Sequence, residues 1–492
     1  MKTWYLAVLM LLLWSACSEN EPAEPISVTF GPITAQATLT EVSLSGTMSI
    51  NRGTATSAGF LLGTTAGLTM TNGEKLNVPG ATSLLTVTKT NLLPATQYFV
   101  RAFAIAEGQE FLGDEISFST IAPTYTTVAP LTAGRGQRVT ITGNFQTSQV
   151  ADVTLMVGNS KPIILSYSST SLTFLVPEDI AIGSEATIQL SVAGHNLGVS
   201  ETIAVSKWSV LATIPSPNSF QGPLTTDLGF NYLDGTKAYH FTANRAYLYD
   251  RLTDAWIQND ALYPSAAGII NNPVFFKIAQ TCYVGFNATS QLLAFDLPTQ
   301  AWTNAGTFPG AKRSFYYGVH AAAGNQAYFG LGYQEIDSGP GSELTEFWEF
   351  DGTTKTWTQR ANYPGTPVGY GVAFAVGEYV LVGGGKNVAS DAWVNDFYAY
   401  HRTNHNWTQV ADYPGPFGTF MKAFALGNRG FVISEDQIWV YEVATNTWSL
   451  YPDRIPGGTR HNPQIFVGTD HFYIGAGVGS TYKSDFYKLY PF

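Results

Sequence analysis

Short runs of apolar residues, many alternating with polar ones and separated by Gly, Pro, Asn and Ser turns, follow one another along most of the chain. Two clear runs occupy residues 368–376 and 379–385. Runs of this length and period are typical of β-strands, and no long window is dominated by helix-forming residues. With 48 glycines, 14% aromatic and only 12% charged residues, the composition also favours many short strands. We predict an all-β protein.

A second pattern repeats over the last 290 or so residues, at a period of roughly 40–55 residues. In each copy an aromatic and a polar residue stand side by side and a tryptophan follows six residues after the polar one. The copies are Tyr249-Asp250…Trp256, Phe295-Asp296…Trp302, Phe350-Asp351…Trp357, Tyr400-His401…Trp407 and Tyr441-Glu442…Trp448. Two half-copies, Trp208…Pro215 and residues 486–490, complete one another. They predict a closed ring in which strands from both ends of the repeat region pair.

Each unit contains four strand-like runs, and a glycine pair, Gly383-Gly384, ends the second run of one unit. In other units the second glycine is replaced, which gives Gly330-Leu331 or Gly475-Ala476. This organisation resembles the kelch repeat, which implies a six-bladed β-propeller over residues 206–492. The repeated tryptophans are expected to pack between blades, and Asp250, Asp296 and Asp351 to form turns.

Two smaller modules precede the ring. Residues 26–120 end in a Leu-Pro-Ala-Thr-Gln-Tyr segment, 93–98, that resembles the tyrosine-corner region of fibronectin type III domains. Residues 121–205 contain runs at 139–145 and 171–177 that resemble the IPT/TIG module. Both resemblances imply immunoglobulin-like β-sandwiches, so the expected fold is two sandwiches followed by the propeller.

The N-terminus has the pattern of an export signal: Lys2, an apolar run over residues 4–14, and small residues before Cys17. The ending resembles a bacterial lipobox, although Trp14 stands where an aliphatic residue is usual. We expect a signal peptide at residues 1–16, lipidation of Cys17 and a polar tether at residues 17–25. The alternative is an ordinary secreted protein. Lipidation implies an outer-membrane anchor facing the cell surface or the periplasm.

The net charge and the motifs limit which classes of partner and cofactor the sequence allows. A net charge of −11, with no Lys/Arg cluster, argues against a nucleic-acid partner. His401 and His405 are separated by a predicted turn, so no metal spacing is present and no metal or cofactor is expected. Cys282 lies in an apolar strand-like run and is expected to be a buried structural thiol.

Candidate ligand contacts come from loops that differ between units, because ligands of propellers bind where such loops converge. The residues are Arg313, Tyr316, Glu343, Lys422, Arg460, His461 and Asn462. Such side chains can bind a sugar carboxylate or hydroxyl groups. They can equally be solvated loop residues.

The sequence therefore predicts an exported, lipid-anchored binding or adhesion protein whose ring recognises a glycan or a protein. The alternative is a carbohydrate-active enzyme resembling the sialic acid mutarotases, with Arg313, Arg460, His461 and Glu343 in its site. Copper oxidases of the galactose oxidase type need a domain after the ring and a cysteine-linked tyrosine, and neither is evident. We favour a binding protein over an enzyme, and the sequence identifies no catalytic set, so the catalytic residues of the enzyme alternative stay unassigned.

Overall fold

The computed structural model describes residues 24–80, 83–147, 149–215, 230–235, 237–241, 245–262, 274–285, 290–311, 318–334 and 342–492. Over these residues the chain is built from β-strands, with 3-10 turns at Val150–Asp152 and Asp260–Leu262 as the helical segments. The predicted all-β class is confirmed. In the described part of the chain, no helix is long and apolar enough to cross a membrane.

The first group of strands forms two four-stranded sheets. The first contains β1, β2, β3 and β6, and the second has the order β5-β4-β7-β8. The strands are β1 Val28–Phe30, β2 Thr34–Ala37, β3 Val42–Ile50, β4 Ser57–Gly63, β5 Glu74–Asn77, β6 Leu84–Lys89, β7 Gln97–Ala106 and β8 Gln109–Ser119. Alternate residues of β3 and β7 are buried in one core, which includes Phe60 and Leu85. The Tyr98 hydroxyl accepts a hydrogen bond from the Leu93 backbone N–H at 2.9 Å, which fixes the corner predicted at residues 93–98.

The second group also forms two sheets, of order β10-β17-β15-β12 and β13-β14-β11-β9, with β16 paired to β15. The strands are β9 Thr124–Ala129, β10 Thr132–Gly134, β11 Arg138–Asn144, β12 Val153–Val157, β13 Ile163–Tyr167, β14 Ser171–Leu175, β15 Glu185–Val192, β16 His195–Asn196 and β17 Thr202–Ser206. Both the sheet pairing and the alternating burial of β15 agree with an immunoglobulin-like sandwich.

Among the described residues from Trp208 onward, six four-stranded antiparallel sheets follow, which we call blades 1 to 6. Their strands are β18 Trp208–Val210, β19 Phe230–Asp234, β20 Lys237–Phe241, β21 Ala246–Asp250, β22 Ala255–Gln258, β23 Val274–Ile278, β24 Thr281–Gly285, β25 Gln291–Asp296, β26 Ala301–Thr307, β27 Val319–Ala323, β28 Gln326–Gly330, β29 Phe347–Asp351, β30 Thr356–Arg360, β31 Val372–Val376, β32 Tyr379–Gly383, β33 Lys386–Asn387, β34 Ala392–Trp393, β35 Phe397–His401, β36 Trp407–Val410, β37 Lys422–Leu426, β38 Arg429–Ser434, β39 Gln437–Glu442, β40 Thr447–Leu450, β41 Gln464–Val467, β42 Phe472–Gly475 and β43 Phe486–Leu489. The blades are β19–β22, β23–β26, β27–β30, β31-β32-β35-β36, β37–β40 and β41-β42-β43-β18.

Blade 6 joins the two ends of this region. Strand β18 pairs antiparallel with β43, with Trp208 opposite Leu489. The first strands of neighbouring blades also contact one another: β23 with β27, β27 with β31, β31 with β37, β37 with β41, and β41 with β19. The arrangement is that of a six-bladed propeller, with the first strands around its axis.

The repeated tryptophans pack between blades. Trp407 of blade 4 lies 4.8 Å from Phe347 of blade 3, ring centre to ring centre, and its indole N–H donates to the Ala361 carbonyl at 2.9 Å. Trp256, Trp302 and Trp448 make the same bond to the backbone before their own blade. Each of these four tryptophans therefore links one sheet to the previous one through apolar area and a hydrogen bond.

The glycine pair has a steric explanation. A side chain at Gly383 would overlap the carbonyl oxygen of Asp396 and the ring of Phe397. The next residue, Gly384, has a left-handed φ of 62°. Leu331 and Ala476 adopt the same conformation after Gly330 and Gly475, with φ of 54° and 52°. The first glycine is thus kept for lack of space, whereas the second is replaceable at the cost of some backbone strain.

The turns between third and fourth strands are held as predicted. Asp351 Oδ1 accepts backbone N–H bonds from Thr353 and Thr354 at 2.8 and 2.9 Å. These bonds lower the pKa of the Asp351 carboxyl. Asp250 and Asp296 accept equivalent bonds. The repeated acids are therefore turn-forming residues. The thiol of Cys282 is buried in strand β24, in the core between blades 1 and 2.

Candidate functional site

Two sets of loops meet at one end of the blades. Neighbouring strands are antiparallel, so the loop that enters each first strand lies at the same end as the loop between the second and third strands. Backbone pairing confirms this proximity: Gly369 bridges to Lys386 in blade 4, and His461 bridges to Val478 in blade 6. We call this end of the ring the loop face.

Three equivalent loop residues lie just before the first strands. Tyr370, Phe420 and Asn462 each stand two positions ahead of β31, β37 and β41 and have left-handed φ values of 57°, 69° and 52°. A residue with a side chain pays about 1–2 kcal/mol for this conformation. The rings of Tyr370 and Phe420 meet edge to face at 5.9 Å, and both are half-buried. We call these three residues the mouth residues.

Polar side chains lie at the start of the first strands, next to the mouth residues. Lys422 and Gln464 are the first residues of β37 and β41, and His320 is the second residue of β27. The ring of His320 lies 4.9 Å from that of Phe275 in blade 2. The Lys422 charge contributes to the low pKa of His320, although the two belong to blades 5 and 3. Both side chains therefore extend toward the axis, and we call His320, Lys422 and Gln464 the axial residues.

Burial determines the protonation of two axial residues. Desolvation lowers the pKa of His320 to about 4, with a further contribution from the Lys422 charge, so this imidazole is neutral at pH 7. Desolvation also lowers the pKa of Lys422 to about 8, and its ammonium remains mainly charged at pH 7. The described part of the entrance thus combines the Lys422 cation, neutral polar groups and aromatic surface.

The residues predicted from the sequence fall in different places. His461 is exposed on the loop face, and Asn462 beside it is a mouth residue. Lys422 is an axial residue. Glu343 lies farther out, where its Oε1 accepts backbone N–H bonds from Val388 at 2.6 Å and Ala389 at 2.9 Å. Glu343 therefore stabilises a loop of the next blade through these two backbone hydrogen bonds.

Arg460 occupies a structural position. Its side chain is fully buried, and its guanidinium forms a two-bond ion pair with Asp485, at 2.8 and 3.0 Å. It also donates to the carbonyl of Pro456 at 2.6 Å. Because these bonds turn the guanidinium inward, the structure corrects the expectation that Arg460 offers it to a ligand. The predicted grouping of Arg460 with Glu343 is not observed either.

Three predicted residues, Cys17, Arg313 and Tyr316, lie outside the described residues. The signal peptide and the greater part of the tether fall outside them as well. Within the described ranges, no group of three or more His, Cys, Asp or Glu side chains is arranged to hold a metal ion.

One loop of the loop face has its own secondary structure. Strands β33 and β34 form a hairpin between the second and third strands of blade 4. Trp393 in this hairpin is 39% exposed and stacks on Phe417 of the next loop at 5.9 Å. Lys386 forms an ion pair with Asp391 at 2.5 Å. With Glu343 reaching in from blade 3, the hairpin is held by three successive blades.

The second sandwich contacts the opposite end of the ring. Arg138 donates to the Asp254 carboxylate at 2.7 Å, in the turn between the third and fourth strands of blade 1. Glu178 pairs with Lys488 at 2.8 Å and accepts from the Tyr490 hydroxyl at 2.5 Å, where β43 ends. These contacts lie at the far end of the strands from the mouth residues.

Sequence reasoning missed Tyr370, Phe420, His320 and Phe275. The alignment of the repeats contained a usable signal, since residues 370, 420 and 462 stand at one position relative to the strands that follow. Their chemistry varies between units, whereas the phenylalanine four residues later recurs as Phe374, Phe424 and Phe466, and variation near a repeated residue is the pattern expected of a ligand-contacting position.

Comparisons with known proteins find solved structures that resemble this chain and a family match for one module. A search of curated protein sequences finds no match to this chain. The structure of YjhT is 13% identical and aligns with 56% of this chain and 96% of YjhT, with a TM-score of 0.44. Auxiliary nutrient binding proteins from Bacteroides thetaiotaomicron VPI-5482 and Bacteroides ovatus ATCC 8483 are each 12% identical, cover 75% of this chain and 97% of their own, and have TM-scores of 0.35 and 0.39. Residues 123–206 match the IPT/TIG domain family, in agreement with the module predicted at residues 121–205.

Proposed function

We propose that this protein is an exported, lipid-anchored binding protein whose kelch-type propeller recognises a glycan or a protein partner on the loop face. The observation that carries the proposal is the entrance of the ring, where the aromatic pair of Tyr370 and Phe420 precedes strands β31 and β37 and Lys422 is the first residue of β37. Half-buried aromatic surface next to a few convergent polar groups is the usual composition of a ligand site.

A glycan is the partner that this composition favours. The faces and edges of aromatic rings provide apolar surface for the C–H groups of a sugar ring, and His320 and Lys422 provide hydrogen-bonding groups for its hydroxyls.

The first experiment is a glycan-array screen of the complete chain without its signal peptide. A Tyr370→Ala/Phe420→Ala double variant should lose binding, whereas Phe492→Ala should not, since Phe492 is an exposed aromatic residue packed on Arg429 and Phe431. Glycan binding that survives in the double variant would place the site elsewhere. If the folded protein binds no glycan, the result favours the protein-partner arm of the proposal, and affinity capture with the lipidated chain becomes the next test.

The anchored part of the proposal rests on the N-terminal sequence. Cys17→Ala should release the protein from the membrane fraction and block incorporation of a labelled fatty acid. Membrane association that is unchanged in this variant would refute the lipid anchor and leave the binding proposal intact.

A further inference from the structure

The charge of Lys422 has no counter-charge among the described residues. Desolvation is the cause of its lowered pKa, and no described carboxylate forms an ion pair with it. The contrast with Lys488 is direct, because that buried lysine is paired with Glu178 at 2.8 Å. An unpaired, desolvated ammonium is costly for the folded protein, and an anion bound beside it removes part of that cost.

Among the described residues, the other polar groups at the start of the first strands are neutral. His320 is uncharged at pH 7, and Gln464, the first residue of the neighbouring strand β41, carries an amide. Strands β31 and β41, which flank β37, carry no acidic or basic side chain. Arg429 of β38 is paired with Glu442 at 2.6 Å. A ligand with a single negative charge therefore matches the Lys422 ammonium better than a ligand with two.

The aromatic mouth residues place a second requirement on the ligand. Tyr370 and Phe420 lie two residues before β31 and β37, so their rings are close to the start of the strand that carries Lys422. A ligand that satisfies both features has an anionic group and an adjoining ring with apolar C–H faces. Sugars that carry a carboxylate have this chemistry, whereas inorganic phosphate lacks the ring and neutral sugars lack the charge.

We propose that the loop face binds acidic sugars, with the sugar carboxylate at the Lys422 ammonium and the sugar ring against the aromatic pair of Tyr370 and Phe420. This inference rests on the proposed glycan binding and specifies its ligand class. It gives Lys422 the role of selecting acidic over neutral sugars.

Titration calorimetry on the chain without its signal peptide tests the inference. The probes are galacturonate and glucuronate, the neutral parents galactose and glucose, and acetate as a carboxylate without a ring. Both acidic sugars should bind at least tenfold more tightly than their neutral parents, and acetate should bind more weakly than either acid. Lys422→Met should reduce the affinity for the acids at least tenfold.

Lys277→Met is the matched control. Lys277 is also a lysine on a first strand, but it lies at the other end of β23 and donates to the Leu233 carbonyl at 2.9 Å. It should leave sugar affinity unchanged. Thermal unfolding of both variants verifies that the ring is folded. Affinity of the wild-type protein for the acids should also fall as the pH rises above 8, when the Lys422 amine loses its proton.

Each remaining outcome separates the two proposals. Equal binding of acidic and neutral sugars, or binding of acids that Lys422→Met does not weaken, overturns this inference and leaves the glycan-binding function standing. Tight binding of acetate alone also overturns it, because the sugar ring would then contribute nothing. Failure of every sugar to bind refutes both this inference and the glycan arm of the proposed function.

Discussion

Replacement of Arg460 by Met tests whether this arginine is structural. The substitution removes the two-bond pair with Asp485 and the bonds to the carbonyls of Pro456 and Ala476. Breaking a buried ion pair costs roughly 3–5 kcal/mol. Because the Asp485 side chain keeps 26% of its surface in water, we expect the lower end, about 3 kcal/mol of unfolding free energy. For a ring of this size, the loss corresponds to a fall in Tm of roughly 6 °C.

Differential scanning calorimetry measures this change, with Arg454→Met as the control. Arg454 lies on the same loop and pairs with Asp436 at 2.8 Å, but its side chain is 52% exposed. A surface pair contributes less than about 1 kcal/mol, so the control should shift Tm by no more than about 2 °C. If Arg460→Met leaves Tm unchanged and abolishes ligand binding, the structural interpretation of Arg460 is wrong and the arginine belongs to the ligand site.

Two further substitutions and one pH series test the packing and the buried charges of the ring. Trp407→Phe removes the indole bond to the preceding blade and should cost about 1–2 kcal/mol in urea unfolding; no change would refute the packing role of the tryptophans. Gly383→Ala should cost at least about 1–3 kcal/mol, because the new methyl group overlaps the Asp396 carbonyl oxygen. Burial lowers the pKa of Lys422 and of Lys488 to about 8, so the unfolded chain binds more protons than the folded one between about pH 8 and 10. Stability should therefore rise with pH over this range, and Lys422→Met should make the rise smaller; an unchanged slope would contradict the desolvation of Lys422.

The architecture was predictable because the repeated residues have repeated steric causes. A tryptophan that packs on the preceding blade recurs at fixed spacing in all five full copies of the repeat, and an aspartate that forms a turn recurs in three of them. Gly383 recurs as Gly330 and Gly475 because a Cβ has no room at any of them. The neighbouring position tolerates Leu331 and Ala476, since only the backbone conformation is constrained there.

The site was harder to predict because composition does not show where a side chain points. Arg460 and Lys422 looked alike as loop-proximal cations, yet one is enclosed by Asp485 and backbone carbonyls whereas the other lies near the axis without a described counter-charge. Asp485 is 25 residues from Arg460 in the chain, so their pairing is invisible to local spacing. His320 and Phe275 meet only because the ring brings two blades together.

The pairing of β18 with β43 has a consequence for synthesis. The two strands are separated by about 280 residues of chain, and Trp208 lies opposite Leu489. As the polypeptide leaves the ribosome, β18 has no partner strand until β43, the last strand of blade 6, has emerged. The pairing of β18 with β43 that completes blade 6 is therefore the final event, and the nascent chain stays an open row of sheets until then. A stop codon shortly before residue 486 would leave five blades complete and the ring unsealed.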